Sequence, residues 1–263
     1  MKNILFTFAA MLIGTSLLTA QQNVISNISV SNTSNSNYVL VGQIQQGADK
    51  VASDVLIQDY SDYNYINVTQ DGKGIDNKVS ITDDSDVNSA YVNQIGEGLS
   101  SEIEVGKGSS YNHVSIAQAD DNHESEVSIT DYSWSNFVNV NQEDKSQQSD
   151  VSITNASSSN YVDVQQLDRF NDSKVSIYDN SSVNDVQVDQ DGSRLLSDVE
   201  IGNSSSNNIA NVSQDGKKHI SDVLIYGGSD VNEVEVGQSG NSHISDVKVL
   251  NGSGYNYIQV IQQ

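Results

Sequence analysis

Apolar and polar residues alternate along most of this chain, in a pattern that returns every 24 residues. From Val55 onwards the order (V/I)-x-(V/I)-x3-S-x2-N-x-(V/I/A)-x-(V/I)-x-Q occurs nine times without insertion or deletion. An apolar residue at every second position indicates a β-strand with one buried face. Each unit holds two such stretches, about residues 53–58 and 64–70 in the first copy, separated by turns rich in Asp, Ser, Asn and Gly. The pattern predicts strand, turn, strand, turn in every unit.

A constant repeat of this length is typical of a stacked solenoid. A tenth, divergent unit comes first, with Ile28, Ser34, Asn37 and Gln43 in the same relative places but 27 residues before their counterparts. We therefore predict an all-β fold, a β-solenoid of ten stacked strand-turn-strand repeats, nine of them regular 24-residue units, with two facing parallel sheets. The inward positions are predicted to be four apolar columns, which begin at Val55, Ile57, Ile66 and Val68.

Two columns of amide side chains share the inward parity and contain no exception. A buried amide is costly unless it is hydrogen-bonded, but stacking lets each amide donate to the same amide on the next coil. We therefore predict two stacking amide ladders that keep the coils in register. The asparagine ladder is Asn64, Asn88, Asn112, Asn136, Asn160, Asn184, Asn208, Asn232 and Asn256. The glutamine ladder is Gln70, Gln94, Gln118, Gln142, Gln166, Gln190, Gln214, Gln238 and Gln262.

The organisation along the chain is simple. Residues 1–20 combine Lys2, an apolar stretch and a small-residue end, which predicts a secretory signal peptide. Residues 21–52 form an N-terminal segment with the divergent first repeat, and residues 53–263 hold the regular repeats. No later apolar segment approaches the length of a membrane span. Export and a soluble mature chain are therefore expected.

Composition excludes several classes of function. With 35 acidic and 12 basic residues the net charge is −23, which disfavours nucleic-acid binding because phosphates are held by basic residues. The absence of cysteine excludes disulfides and thiolate metal sites. Ser, His and Asp all occur in repeating columns, whereas an active site would break the repeat. We predict neither an enzyme nor a bound cofactor.

The polar columns resemble the curlin repeat of bacterial curli fibre subunits, S-x5-Q-x-G-x2-N-x-A-x3-Q. In the first regular unit Ser53, Asn64, Ile66 and Gln70 occupy the Ser, Asn, Ala and final Gln positions. Two positions depart from that pattern. The first Gln becomes Asp59 and mostly polar equivalents in the other units, and the Gly is Ser in every unit, from Ser61 to Ser253.

The resemblance implies a secreted structural subunit that self-assembles into amyloid-like fibres of a biofilm matrix at the cell surface, for adhesion and aggregation. The implied partners are further copies of the chain, an outer-membrane secretion channel, a nucleator subunit and periplasmic chaperones. The choice between major subunit and nucleator stays open, as does an export signal within residues 21–52. The uncapped last strand, at Ile258 and Val260, independently favours end-to-end stacking.

Two other functions are compatible with a secreted solenoid. The first alternative is a monomeric secreted adhesin or carbohydrate-binding solenoid. An ice-binding solenoid is disfavoured, because the outward columns are irregular. An outward column with Tyr65, His113, Phe137, Tyr161 and Tyr257 offers a surface for adhesion or lateral contacts.

Metal binding is disfavoured because the candidate ligands do not recur together from unit to unit. His123, His219 and His243 share one turn column and are interpreted as exposed turn residues, because no regular carboxylate column accompanies them. The acidic residues that recur near Asp54 and Asp59 are interpreted as solvated charge in preference to a Ca²⁺ site.

Overall fold

The structure, a computed structural model, describes residues 24–263, and these form a β-solenoid of ten coils. The predicted all-β solenoid is confirmed. The predicted signal peptide lies outside the described residues. In chain order the strands are β1 (Val24–Val30), β2 (Tyr38–Gln45), β3 (Val51–Ile57), β4 (Tyr65–Lys73), β5 (Ile75–Ile81), β6 (Ser89–Glu97), β7 (Ser100–Val105), β8 (His113–Asp121), β9 (Glu124–Ile129), β10 (Phe137–Gln142), β11 (Gln148–Ile153), β12 (Tyr161–Arg169), β13 (Asp172–Ile177), β14 (Asp185–Ser193), β15 (Leu196–Gly202), β16 (Ile209–Lys217), β17 (Ile220–Tyr226), β18 (Glu233–Asn241), β19 (Ile244–Leu250) and β20 (Tyr257–Gln262).

The odd-numbered strands form one ten-stranded sheet and the even-numbered strands form the other. Each strand pairs in parallel with the strands one coil away, in a register that keeps every column aligned, as in Gln142 opposite Gln166. In the first coil the offset is 27 residues, as in Val24 opposite Val51. The three additional residues are accommodated between β2 and β3. The register therefore follows directly from the constant repeat length.

The four apolar columns fill the space between the two sheets. They form one continuous hydrophobic cluster, and from Val55 to Val236 its members are at most 2% exposed. The end coils differ, because Val39, Val41, Ile258 and Val260 are only partly buried against this cluster. Alternation of period two places these residues inward, as the sequence predicts.

The strands are longer than predicted, and the second connection of each unit is not wholly polar and exposed. Strand β4 continues past Gln70 to Lys73, and β3 begins at Val51. A fifth buried column begins at that residue and includes a small apolar cluster of Val51, Ile75 and Leu99. This column keeps the inward parity of the strands, as Ile75 does in β5, but its residue type changes from coil to coil between apolar residues, His, Gln and Asn.

Glycine occurs in several coils at the corner where the chain turns from one sheet to the other, because a side chain would collide with the next coil. Gly192 has a φ of +146°, and a Cβ there would lie 2.1 Å from the carbonyl oxygen of Gly216 on the next coil. Three central coils have Asp120, Asp144 and Asp168 at the equivalent position, with φ values of 77°, 78° and 65°. The corner therefore has two backbone forms, one for glycine and one for aspartate.

Candidate functional site

The asparagine ladder is buried and continuous. Each Asn Nδ2 donates to the Oδ1 of the Asn one coil earlier, at 2.8–3.2 Å. The backbone N–H of each Asn donates to the same oxygen, as from Asn88 to Asn64 at 2.8 Å. Because a backbone N–H can only donate, this bond determines which way each amide is turned. The side-chain donors of the asparagine ladder therefore all point toward the N-terminal end.

The glutamine ladder runs in the opposite direction. Each Gln Nε2 donates to the Oε1 of the Gln one coil later, at 2.7–2.9 Å. Its second hydrogen goes across the core to a backbone carbonyl of the other sheet, as from Gln70 to Ala52 at 2.9 Å. That carbonyl can only accept, so the amide orientation is again determined by the backbone. The side-chain donors of the glutamine ladder point toward the C-terminal end.

A third polar column forms a ladder that the sequence did not predict. The Oγ of Ser61 accepts the backbone N–H of Ser85 at 3.1 Å, and the same bond recurs at 3.1–3.2 Å up to Ser229. These serines are fully buried from Ser61 to Ser229. They occupy the position where the curlin pattern has glycine. Their invariance was the available signal, because a buried backbone N–H in the turn needs an acceptor.

In the two end coils, the last side chains of each amide ladder have hydrogen-bonding groups without a neighbouring coil to pair with. We call the free edges of β1 and β2 the N-terminal face, and those of β19 and β20 the C-terminal face. Within residues 24–263, Gln43 Oε1 on the N-terminal face receives no donor, and Asn37 Nδ2 donates only to a turn carbonyl. On the C-terminal face, among the residues that the structure describes, Gln262 Nε2 has one bond, to Ile244 O, and Asn256 Oδ1 receives none. Each face therefore holds the groups that the other lacks.

Charge is almost absent from the end coils. Residues 24–48 contain no charged side chain, and residues 236–263 contain one acid and one base, Asp246 and Lys248, which form an ion pair at 2.7 Å. Of the 35 acidic residues, 34 lie between Asp49 and Glu235. The negative charge is therefore carried by the sides of the middle coils.

Stacking brings carboxylates on the sides close together. Glu102, Glu126 and Asp150 occupy successive coils in one outward column. Burial raises the pKa of Glu126, and the neighbouring charges of Asp150 and Glu102 raise it further. Such columns oppose close contact between the sides of two copies.

Two of the histidines are buried, and their interpretation as exposed turn residues is wrong. His123 and His219 lie in the fifth column and are 1% and 0% exposed. Nδ1 of His123 accepts the backbone N–H of Gln147 at 3.3 Å, and Nε2 lies 2.6 Å from Ala119 O. Asn171, in the same column, makes the equivalent pair of bonds with its side-chain amide. The buried imidazoles therefore serve the corner backbone, and no group of three or more metal-ligand side chains occurs within residues 24–263.

The exchange His123→Asn should reduce the loss of stability on mild acidification. Burial lowers the pKa of His123, so its neutral form stabilises the fold above about pH 6.5, and that contribution is lost as the pH falls through the lowered pKa. Asparagine can make the same bonds without titrating, as Asn171 does. Urea unfolding of both proteins between about pH 7 and 5 should show the steeper decline in the wild type. Parallel declines would contradict the assigned role.

The outward aromatic column is a continuous stack over the first coils. Rings of successive residues lie 4.8–5.4 Å apart, and the first pair, Tyr38 and Tyr65, is nearly parallel at 10°. The third coil has the small residue Ser89 in this column, and the ring of Tyr91, from the neighbouring column, occupies the space between Tyr65 and His113. The full stack is Tyr38, Tyr65, Tyr91, His113, Phe137 and Tyr161. Tyr257, in the same column as Tyr65, lies at the far end of the rod.

Comparison with known proteins adds no family assignment. No protein-family model, curated protein or solved structure matches this chain. Among residues 24–263 there is no helix with the length and hydropathy needed to cross a membrane.

Proposed function

We propose that this protein is a curlin-like structural subunit that assembles end to end into extracellular fibres. The observation that carries the proposal is the complementarity of its two end faces. The partly buried apolar residues Val39 and Val41 on the N-terminal face belong to the same two columns as Ile258 and Val260 on the C-terminal face. A second copy would bury both sets and pair the open strand edges.

The ladders favour one direction of assembly. In a head-to-tail contact, Gln262 Nε2 of one copy would donate to Gln43 Oε1 of the next, and Asn37 Nδ2 of that next copy would donate to Asn256 Oδ1. A head-to-head contact would pair the edge strands antiparallel, so neither amide ladder would continue across the junction. A head-to-tail contact is heterologous and does not close on itself, so it produces a filament.

The distribution of charge favours growth along the axis over lateral clumping. The end coils carry no net charge, since Asp246 and Lys248 form an ion pair, and they can meet without net repulsion. The acidic sides of two rods repel each other until salt screens the carboxylates or acid neutralises them. The acidic sides also limit nonspecific aggregation of an exported chain. The fibre is therefore expected to be thin and unbranched at low ionic strength.

The cellular part of the proposal rests on residues 1–20 and on the curlin-like spacing. It comprises export, a place in a biofilm matrix, and a role in adhesion and aggregation. An outer-membrane channel, periplasmic chaperones and a nucleator subunit are the proposed partners besides the chain itself.

Seeded growth of the purified chain from Gln21 tests the assembly. Thioflavin-T fluorescence should rise after a lag, sonicated fibres should abolish that lag, and electron microscopy should show unbranched fibres. A chain that stays monomeric when seeds are added, with the circular dichroism of a folded β protein, would overturn the proposal and favour the monomeric adhesin.

A further inference from the structure

The aromatic column places tyrosines at both ends of the rod. Tyr38 lies on the first coil, 53% exposed, and its ring stacks on Tyr65 with centroids 5.0 Å apart. Tyr257 lies on the last coil, 58% exposed. Both belong to one register column, since Tyr38 pairs with Tyr65 and Tyr257 pairs with Glu233 at the equivalent place. In the proposed head-to-tail contact, Tyr257 of one copy would therefore lie one coil away from Tyr38 of the next.

Tyr257 also has a proton acceptor. Its hydroxyl donates to Glu235 Oε2 at 2.6 Å, and this bond raises the pKa of the phenol. A phenol that loses an electron becomes strongly acidic, and a hydrogen-bonded carboxylate is placed to take the proton at that moment. Tyr257 is therefore suited to one-electron oxidation.

We propose that Tyr257 and Tyr38 form an oxidative coupling site that joins successive copies covalently through a dityrosine bond. The inference rests on the proposed end-to-end assembly. The oxidant is hydrogen peroxide acting through a haem peroxidase. Each phenol gives up one electron and one proton and becomes a phenoxyl radical. The two radicals form a carbon–carbon bond between ring carbons ortho to their oxygens, and each ortho hydrogen then moves to the oxygen as a proton, which restores the hydroxyl. One peroxide accepts the two electrons and two protons and becomes two waters.

Two other tyrosines show that neither exposure alone nor a carboxylate acceptor alone provides this geometry. Tyr255 is 88% exposed, more than Tyr257, but the first-coil residue in its column is Ser36, so no ring would meet it at the junction. Tyr178 donates to Glu200 as Tyr257 does to Glu235. Its neighbour in the column is Gly202, where a Cβ would lie 2.5 Å from the Tyr178 ring. Neither residue has the combination of acceptor and adjacent ring.

The test uses fibres grown from a mixture of unlabelled and ¹⁵N-labelled chains from Gln21, treated with horseradish peroxidase and hydrogen peroxide. After dissolution in acid and proteolysis, mass spectrometry should find Tyr38 linked to Tyr257 in peptides of mixed label. Mixed label separates this link from coupling of Tyr38 to Tyr65 within one chain. Denaturing gels should show a ladder of covalent multimers.

Three variants decide the assignment. Tyr257→Phe should lose the covalent multimers while thioflavin-T growth and fibre morphology are retained, and Tyr255→Phe should keep the multimers. Glu235→Gln should slow the coupling at neutral pH without altering the fibres. Fibres that form without a Tyr38–Tyr257 link, or that link through Tyr255, would overturn the inference and leave the assembly intact. Failure to form fibres at all, with no mixed-label link, would overturn both.

Discussion

Gln166→Glu should strongly destabilise the solenoid, whereas Gln165→Glu on the same strand should leave it close to the wild type. Gln166 is fully buried, and its Nε2 donates to Gln190 Oε1 at 2.8 Å and Gln148 O at 2.9 Å. A carboxylate would remove both donors and place an unpaired charge in the core, which costs about 3–5 kcal/mol. Gln165 is exposed, so the same change there should cost at most about 1 kcal/mol, from the lost bond to Asp163 and repulsion by Asp163 and Asp189.

The two variants are matched in chemistry and net charge and differ only in the face they occupy. Urea unfolding followed by circular dichroism would measure the free energy of unfolding, and seeded growth would measure assembly. Burial should raise the pKa of the new carboxyl above its unfolded value of about 4.3, so the penalty applies at neutral pH and fades as the pH falls toward that value. Equal unfolding midpoints at neutral pH would disprove the structural role of the ladder.

Lysine at either end of the core should stop fibre growth, and a mixture of the two end variants should form a dimer and nothing larger. Val260→Lys places a charge on the C-terminal face, and Val41→Lys places one on the N-terminal face. Each residue is only half-buried in its end coil, so the fold should tolerate the change. Each variant alone lacks one face, but the intact C-terminal face of one fits the intact N-terminal face of the other.

Neighbouring outward positions supply the controls. Ile261→Lys and Leu40→Lys add the same charge beside the same strand edges, but their side chains are 62% and 36% exposed and point away from the core. These controls should still elongate. Analytical ultracentrifugation of the separate and mixed variants would distinguish monomer from dimer. Fibres from Val260→Lys alone, or a mixture that stays monomeric, would contradict the head-to-tail contact.

The positions of the amide ladders could be predicted from the sequence, but the direction in which their side-chain donors point could not. The amide columns were predicted at inward positions because they share the parity of the apolar columns. Their opposite directions could not be predicted, because the backbone partners that orient Gln70 and Asn64 lie 18 and 24 residues away in the chain. Orientation is what makes the two end faces complementary.

The corners were the weakest part of the sequence interpretation. His123 and His219 appeared in a polar connection and were assigned to the surface, but the structure buries them. The fifth column shares the inward parity of the strands, as Ile75 does in β5, but its mixture of apolar residues with His, Gln and Asn concealed it. The apolar members Val51, Ile75 and Leu99 were the available signal, and they show only that some coils fill the corner with hydrocarbon.

Sequence alone determined the solenoid, its ten coils, its register and its four core columns, because a constant period with alternating apolar residues can be satisfied only by coils stacked in step. The tertiary structure decided the direction of each ladder, the buried corner column and the unfilled groups on the end faces. These features depend on contacts between residues one coil apart or on opposite sheets, and on which contacts are missing at the ends. Those relations become visible only when the coils are stacked.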